Sequence, residues 1–237
     1  MKRVIPTILI QDGRCVKTKK FSSPIYLGDP INIARIFNNK YVDELIILDI
    51  SQGSKANNIN YELLEKLSSQ CLLPLTYGGH IHNVEAGLKV IKKGFEKIIV
   101  RNIFSKNPNV VKELEMILGK QALTLCIDFI CKDRVYFCIN NNTSIPLLQF
   151  LENSDLSSFG EIVLHNVDRE GTYLGIDFNL IKLVTEKYNN RFIYVGGTNS
   201  PEDFENALKN TKIVGVGIGS LFSLYGKFRT PFITYKR

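Results

Sequence analysis

Arg191-Phe192-Ile193-Tyr194-Val195-Gly196-Gly197-Thr198, with its sequel Ile213-Val214-Gly215-Val216-Gly217-Ile218-Gly219-Ser220, decides how this chain folds. Each stretch is an apolar, β-branched run ending in glycines, and each glycine turn opens a helix. Backbone N–H groups at such a turn form an anion site, so the pair reads as a split phosphate cradle. The same design stands earlier in the chain, where Leu73-Pro74-Leu75-Thr76-Tyr77-Gly78-Gly79-His80 is followed by Lys97-Ile98-Ile99-Val100-Arg101-Asn102-Ile103-Phe104. Gly78 recurs as Gly196 and Phe104 as Phe222, both 118 positions on. The chain reads as two fused copies of one half, about 1–120 and 121–237, within one domain.

Outward from these runs, short apolar segments alternate with amphipathic ones. Strands are expected at Val4–Ile10, Glu44–Ile50, Leu73–Thr76, Lys97–Val100, Leu123–Asp128, Glu161–His165, Phe192–Val195 and Ile213–Gly217. Asp29-Pro30 and Ser200-Pro201 each place a capping side chain before a proline at the first helical position. Further helices are expected at Tyr61–Ser68, Val84–Lys93, from Asn107-Pro108 to near Gly119, at Pro146–Glu152 and at Phe178–Tyr188. Strand 1 leads through turn residues Gln11–Arg14 into a long loop with Lys17, Lys19, Lys20, Phe21 and Gly28, and a hairpin-like insertion follows strand 5 around Arg134–Ile139. Continuous apolar strands suit a parallel sheet covered on both faces. Two halves of four strands would each leave an exposed edge, so eight βα units predict a closed (β/α)8 TIM barrel, with chemistry at the C-terminal strand ends.

The formal net charge of +7 does not predict nucleic-acid binding, because the basic residues are dispersed and no basic run carries interleaved aromatics. It suits a phosphorylated small molecule. Five cysteines without a C-x-x-C pair, no secretory core and no long apolar run predict a cytoplasmic chain with reduced thiols and no membrane span. His80 and His82 form an H-x-H, but His165 is the one other histidine and no thiolate cluster stands beside them, so neither metal nor cofactor is expected. His165, ending strand 6, fits a packed imidazole as well as a catalytic one. The polar loop Asn140–Ser144 lies on the expected active face.

Lys2-Arg3-Val4-Ile5-Pro6, Asp12-Gly13-Arg14-Cys15-Val16-Lys17, Gly28-Asp29-Pro30, Asp43-Glu44-Leu45-Ile46-Ile47-Leu48-Asp49-Ile50, Asp168-Arg169-Glu170-Gly171-Thr172 and both Gly-Gly loops resemble the cyclase subunit of imidazole glycerol phosphate synthase, HisF. The likeness runs in order from residue 2 to about residue 225. It implies a barrel that docks a HisH-like glutaminase on its N-terminal face, passes ammonia along its axis and binds a substrate with two phosphates at the other face. In the histidine pathway that substrate is an N1-(5'-phosphoribulosyl)-formimino-AICAR nucleotide, cyclised and cleaved by two aspartates on strands 1 and 5.

By the same resemblance Asp128 matches one of these aspartates, but the partner position is Leu9, which the internal repeat also selects to within one residue. Leucine cannot carry a proton. Asp12 matches the turn of the family pattern, three positions along. Lys17, Asp49 and Asp168 match other active-face positions. Phosphate loops are expected at Gly171-Thr172, Gly196-Gly197 and Gly219-Ser220, with a second site near Gly79 and Arg101-Asn102. Arg3, Glu44, Lys97 and Glu161, at the starts of strands 1, 2, 4 and 6, match the charged ring that gates ammonia.

An intact gate beside a broken aspartate pair resembles paralogues found with an ATP-dependent sugar amidotransferase, which amidinates lipopolysaccharide or O-antigen sugars. The resemblance also leaves open an active cyclase, its missing carboxylate supplied by Asp12 or Asp49, and a non-catalytic binding scaffold. The ending departs from the histidine-pathway pattern. Tyr225–Tyr235 is extended and β-branched where a charged helix would stand, with Pro231 against a long helix.

Overall fold

The computed structural model describes residues 2–20, 22–52, 58–140 and 143–235. Phe21 and the middle of the Asn140–Ser144 loop lie outside the described residues, as do the side chains of Asn102, Asn140 and Thr143. β1 (Arg3–Gln11) is followed by β2 (Arg14–Lys19), β3 (Ser22–Gly28) and α1 (Pro30–Asn39). β4 (Leu45–Asp49), α2 (Tyr61–Ser69), β5 (Leu75–Gly78), α3 (Val84–Lys92) and β6 (Lys97–Val100) alternate up to a short α4 (Asn102–Lys106) and α5 (Pro108–Leu118). β7 (Leu123–Lys132) carries β8 (Val135–Asn140) and β9 (Thr143–Pro146) before α6 (Leu147–Asn153). The rest is β10 (Glu161–Asn166), α7 (Phe178–Lys187), β11 (Phe192–Val195), α8 (Pro201–Asn210), β12 (Gly215–Ile218), α9 (Ser220–Ser223), β13 (Leu224–Tyr225) and β14 (Thr230–Pro231).

Strands β1, β4, β5, β6, β7, β10, β11 and β12 pair in parallel in that order, and β12 returns to β1 with Val4 opposite Val216. The sheet is therefore a closed eight-stranded barrel. Period-2 alternation sorts the side chains of each strand. Ile8 of β1 and Ile47 of β4 belong to the large layer beneath the helices, whereas Ile5, Ile46, Ile99, Val163 and Ile193 meet around the axis as a separate cluster. Full burial of each such aliphatic chain stabilises the fold by roughly 1.5–3 kcal/mol.

Local chemistry fixes the helix starts. Asp29 accepts from the Asn32 N–H and Ser200 from the Asp203 N–H, as proline opens α1 and α8. β5 starts at Leu75, two residues later than the apolar run suggests, because Pro74 has no N–H to offer a ladder. The segment after strand 1 is not a loop but an antiparallel hairpin. Asp12 and Gly13 take φ of 52° and 79°, as a two-residue primed turn requires, and β2 folds back with Leu9 opposite Val16. Asp133 and Arg134, at 49° and 65°, make the same turn between β7 and β8.

The tail forms a two-stranded hairpin of β13 and β14, extended as its composition predicts. Backbone bonds from Phe232 to Ser223 and from Thr234 to Phe222 fasten it to α9. Tyr235 packs edge-on against Phe222, with ring centroids 5.1 Å apart. No helix among the described residues is long and apolar enough to cross a membrane.

Candidate functional site

At the N-terminal end of the barrel, strand starts deliver Arg3, Glu44, Lys97 and Glu161 to one place. Arg3 ion-pairs with both Glu44 and Glu161, and Lys97 Nζ lies 3.1 Å from Glu44 Oε2 and 2.9 Å from Glu161 Oε2. The four side chains form a closed ring of alternating charge. Thr76 donates to Glu44 at 2.6 Å and Arg191 reaches Glu161 at 3.2 Å, two supports that strand-start reading passed over. Burial works to raise the Glu161 pKa, but bonds and charge from Lys97 and then Arg3 outweigh it and hold the carboxyl below its usual range.

Above this ring sits the axial cluster of five aliphatic chains, with Leu48, Cys126, Val195 and Val214 packed against it. Above that, a cavity opens at the C-terminal face, lined by Thr7 and Leu9 of β1, Leu48, Lys17 of β2, His165 of β10 and the loops after β10, β11 and β12. Leu9 is buried and stands opposite Leu48. The structure thus puts leucine, not a carboxylate, on the cavity wall at the strand-1 position. Asp12 lies at the exposed tip of the first hairpin, and it is not among the lining residues.

The phosphate loops converge in part. Gly171, Gly196, Gly197, Gly219 and Ser220 all line the cavity. Gly196 has φ +117°, and a Cβ there would lie 2.6 Å from the Asn166 carbonyl oxygen. At Gly219 a Cβ would lie 2.7 Å from Lys17 Nζ, so its absence makes room for the ammonium. Lys17 is buried and paired with Glu170 across the cavity edge. Thr198 Oγ1, also on the wall, is buried without a hydrogen-bond partner among the described residues. Thr172 is turned away, its hydroxyl closing its own loop on the Arg169 carbonyl at 2.8 Å. Tyr173 takes that place on the wall and donates to the Ser220 carbonyl at 3.0 Å. Outside it, Arg229 of the tail stacks on the Tyr173 ring at 4.8 Å and donates to the Gly171 carbonyl at 3.1 Å.

The other expected residues go elsewhere. Asp49 alternates with Leu48, so it misses the cavity and meets Tyr77 Oη at 3.5 Å and His80 Nε2 at 3.5 Å. Gly79 packs against Asp49, and Arg101 is drawn to Asp128, so neither joins the cavity wall. The Asn102 side chain lies outside the description. Asp168 accepts from the Cys131 N–H at 2.8 Å, tying β7 to the loop after β10.

Asp128 stands directly opposite His165 in the β7–β10 pairing. Its carboxylate receives Arg101 on one oxygen and His165 Nδ1 at 2.8 Å on the other, with Cys126 Sγ 3.8 Å away. Burial favours the neutral acid, but the bond and charge of His165, then of Arg101, win and bring the pKa down to about 2. Burial, and then the Asp128 charge, push the Cys126 thiol well above its ordinary value. Ligand atoms of Cys126, Asp128 and His165 lie within 4.8 Å of one another. Both carboxylate oxygens already serve a cationic or N–H donor, so the three side chains are joined in one hydrogen-bonded network.

The family model for "Histidine biosynthesis protein" matches residues 3–229. A Leptospira interrogans protein named "Putative imidazole glycerol phosphate synthase subunit HisF" is 38% identical over 98% of this chain and 94% of its own length. A Pseudomonas aeruginosa relative whose name ends in "subunit hisF2" is 33% identical over 99% of this chain and 95% of its own. The imidazole glycerol phosphate synthase subunit HisF of Thermococcus gammatolerans is 31% identical over 88% of this chain and 84% of its own.

Proposed function

The chain belongs to the histidine biosynthesis protein family as a HisF-like barrel, and from that premise we propose that it is the synthase subunit of a glutamine amidotransferase complex. It receives ammonia from a HisH-like glutaminase at the N-terminal face and passes it up the axis for amidination of a bacterial surface sugar, carried out with an ATP-dependent sugar amidotransferase. One observation carries this reading. The ring of Arg3, Glu44, Lys97 and Glu161 stands complete, while Leu9 lines the cavity where a second carboxylate would be needed.

The layers between support it. Five aliphatic chains above the ring exclude water and disfavour ions, so neutral ammonia is the form of nitrogen that such an axis admits. The cavity's glycine loops, the Thr198 hydroxyl and the Lys17 ammonium suit a phosphorylated small molecule at the exit.

The test uses the purified chain with a HisH-like glutaminase. Stimulated glutamine hydrolysis, without ammonia-dependent turnover of the histidine-pathway nucleotide, is the expected outcome. Clear turnover would make the chain a working cyclase, and binding without stimulation would reduce it to a scaffold.

A further inference from the structure

The repeat of 118 positions lets the two halves of the barrel be laid on each other, and they differ where a phosphate would sit. In the second half Thr198 stands on the cavity wall beside Gly196 and Gly197, and its counterpart in the first half is His80. Gly219 likewise corresponds to Arg101. We infer that the cavity holds one phosphoryl group, seated on the second-half loops, and that Thr198 is the side chain that selects it. The ligand is then a phosphate monoester and not a bisphosphate. The inference rests on the proposed reading of the cavity as the site of a phosphorylated molecule.

Three observations carry it. First, Thr198 is 7% exposed and its hydroxyl has no hydrogen-bond partner among the described residues. A buried donor left unpaired is costly, and an oxygen of a phosphate on the adjoining loops would satisfy it. Second, the first-half cradle is already filled. His80 Nε2 lies 3.5 Å from Asp49 Oδ1, and the Asp49 side chain packs so closely on Gly79 that a Cβ there would be 2.8 Å from its own. A phosphate at that turn would meet a carboxylate. Where the bare Gly219 leaves room for Lys17, Arg101 carries a guanidinium committed to Asp128, and Gly79, His80 and Arg101 all stay off the cavity wall. Third, Leu9 and Leu48 make the β1 and β4 side of the wall aliphatic, with no donor for a second anion. Lys17 contributes charge, but Glu170 offsets it, so selection falls to neutral donors, the loop N–H groups and the Thr198 hydroxyl.

The experiment is an amide NMR titration of the purified chain with ribose 5-phosphate and, separately, ribulose 1,5-bisphosphate. Both should move the Gly197, Thr198 and Gly219 amides and leave the Gly79 and Ile103 amides still. Their affinities should agree within about threefold, since a second phosphate without a seat adds only a statistical factor. Thr198→Val keeps the branched shape and should bind ribose 5-phosphate roughly tenfold more weakly, while Thr198→Ser should restore most of the loss. Without ligand, Thr198→Val should not lower the urea midpoint, because it removes a donor that has no partner in the fold. A lowered midpoint with unaltered affinity would make Thr198 a structural residue and overturn its part. A bisphosphate bound more tightly than that margin, with the Gly79 amide moving, would overturn the single phosphate and leave the cavity reading standing. If the second-half amides answer neither sugar phosphate, the cavity reading falls and the inference with it.

Discussion

At Asp128 the balance of burial against two positive partners has a pH signature. Its pKa in the fold, about 2, lies below the ordinary value of 3.8, so its stabilisation is fully present above that value and is lost as pH falls through the folded one. The linkage amounts to roughly 2–3 kcal/mol at neutral pH. Asp128→Asn should therefore lower the urea midpoint at pH 7, and the gap from the parent chain should narrow steadily between about pH 4 and pH 2. A constant gap would contradict the assignment. A second substitution tests the cradle. Gly196→Ala adds a methyl 2.6 Å from the Asn166 carbonyl at a φ of +117°, and should cost roughly 2–4 kcal/mol in denaturant unfolding. Single residues were unevenly legible in the sequence. Leu9 could be placed because the family pattern fixes its position on strand 1, with the repeat falling one residue away at Ile10. The role of His165 stayed open because its partner is 37 positions away, brought opposite by the pairing of β7 with β10. Which neighbours Asp49 meets was not legible either, because matching a position does not fix which way alternation turns the side chain, here to Tyr77 and His80.

Among the elements, the eight barrel strands were visible as apolar runs, whereas the first hairpin was not. β2 buries Cys15–Thr18 between exposed Arg14 and Lys19, and a strand with so many basic residues does not announce itself by hydropathy. The short α4 was likewise unseen, five residues giving no helical period to read. The tail was legible as extended chain, but its destination was not, since Arg229 stacking on Tyr173 depends on a contact 56 positions apart, 229 against 173. That strap makes a prediction. Arg229→Ala should cost less than about 1 kcal/mol of global stability, because the contact is near the surface. Amide exchange at Gly171–Tyr173 should nevertheless quicken while the barrel strands stay protected. Equal acceleration everywhere would mean that the tail supports the whole fold and not this loop.

For the molecule as a whole, the ring across the barrel's N-terminal end joins strands far apart in sequence. Replacing Arg3 with Met leaves Glu44 and Glu161, both buried, to share Lys97 and their weaker partners, and should destabilise the chain by roughly 3–5 kcal/mol. In complex with the glutaminase, the same variant should let glutamine hydrolysis continue while less nitrogen reaches the acceptor, measured as ammonia escaping to bulk solvent. Intact transfer by a folded variant would remove the ring from the ammonia route. Closure itself was foreseeable because an open eight-stranded sheet in two equal halves would expose edges. Which side chains then face each other across the axis depends on barrel register, and that is set by all eight pairings at once.

The five aliphatic side chains around that axis also form an apolar layer between the charged ring and the cavity. If nitrogen crosses as ammonia, the proton it would carry as ammonium stays on the glutaminase side. Each turnover then leaves acid at one mouth of the barrel and delivers base to the other.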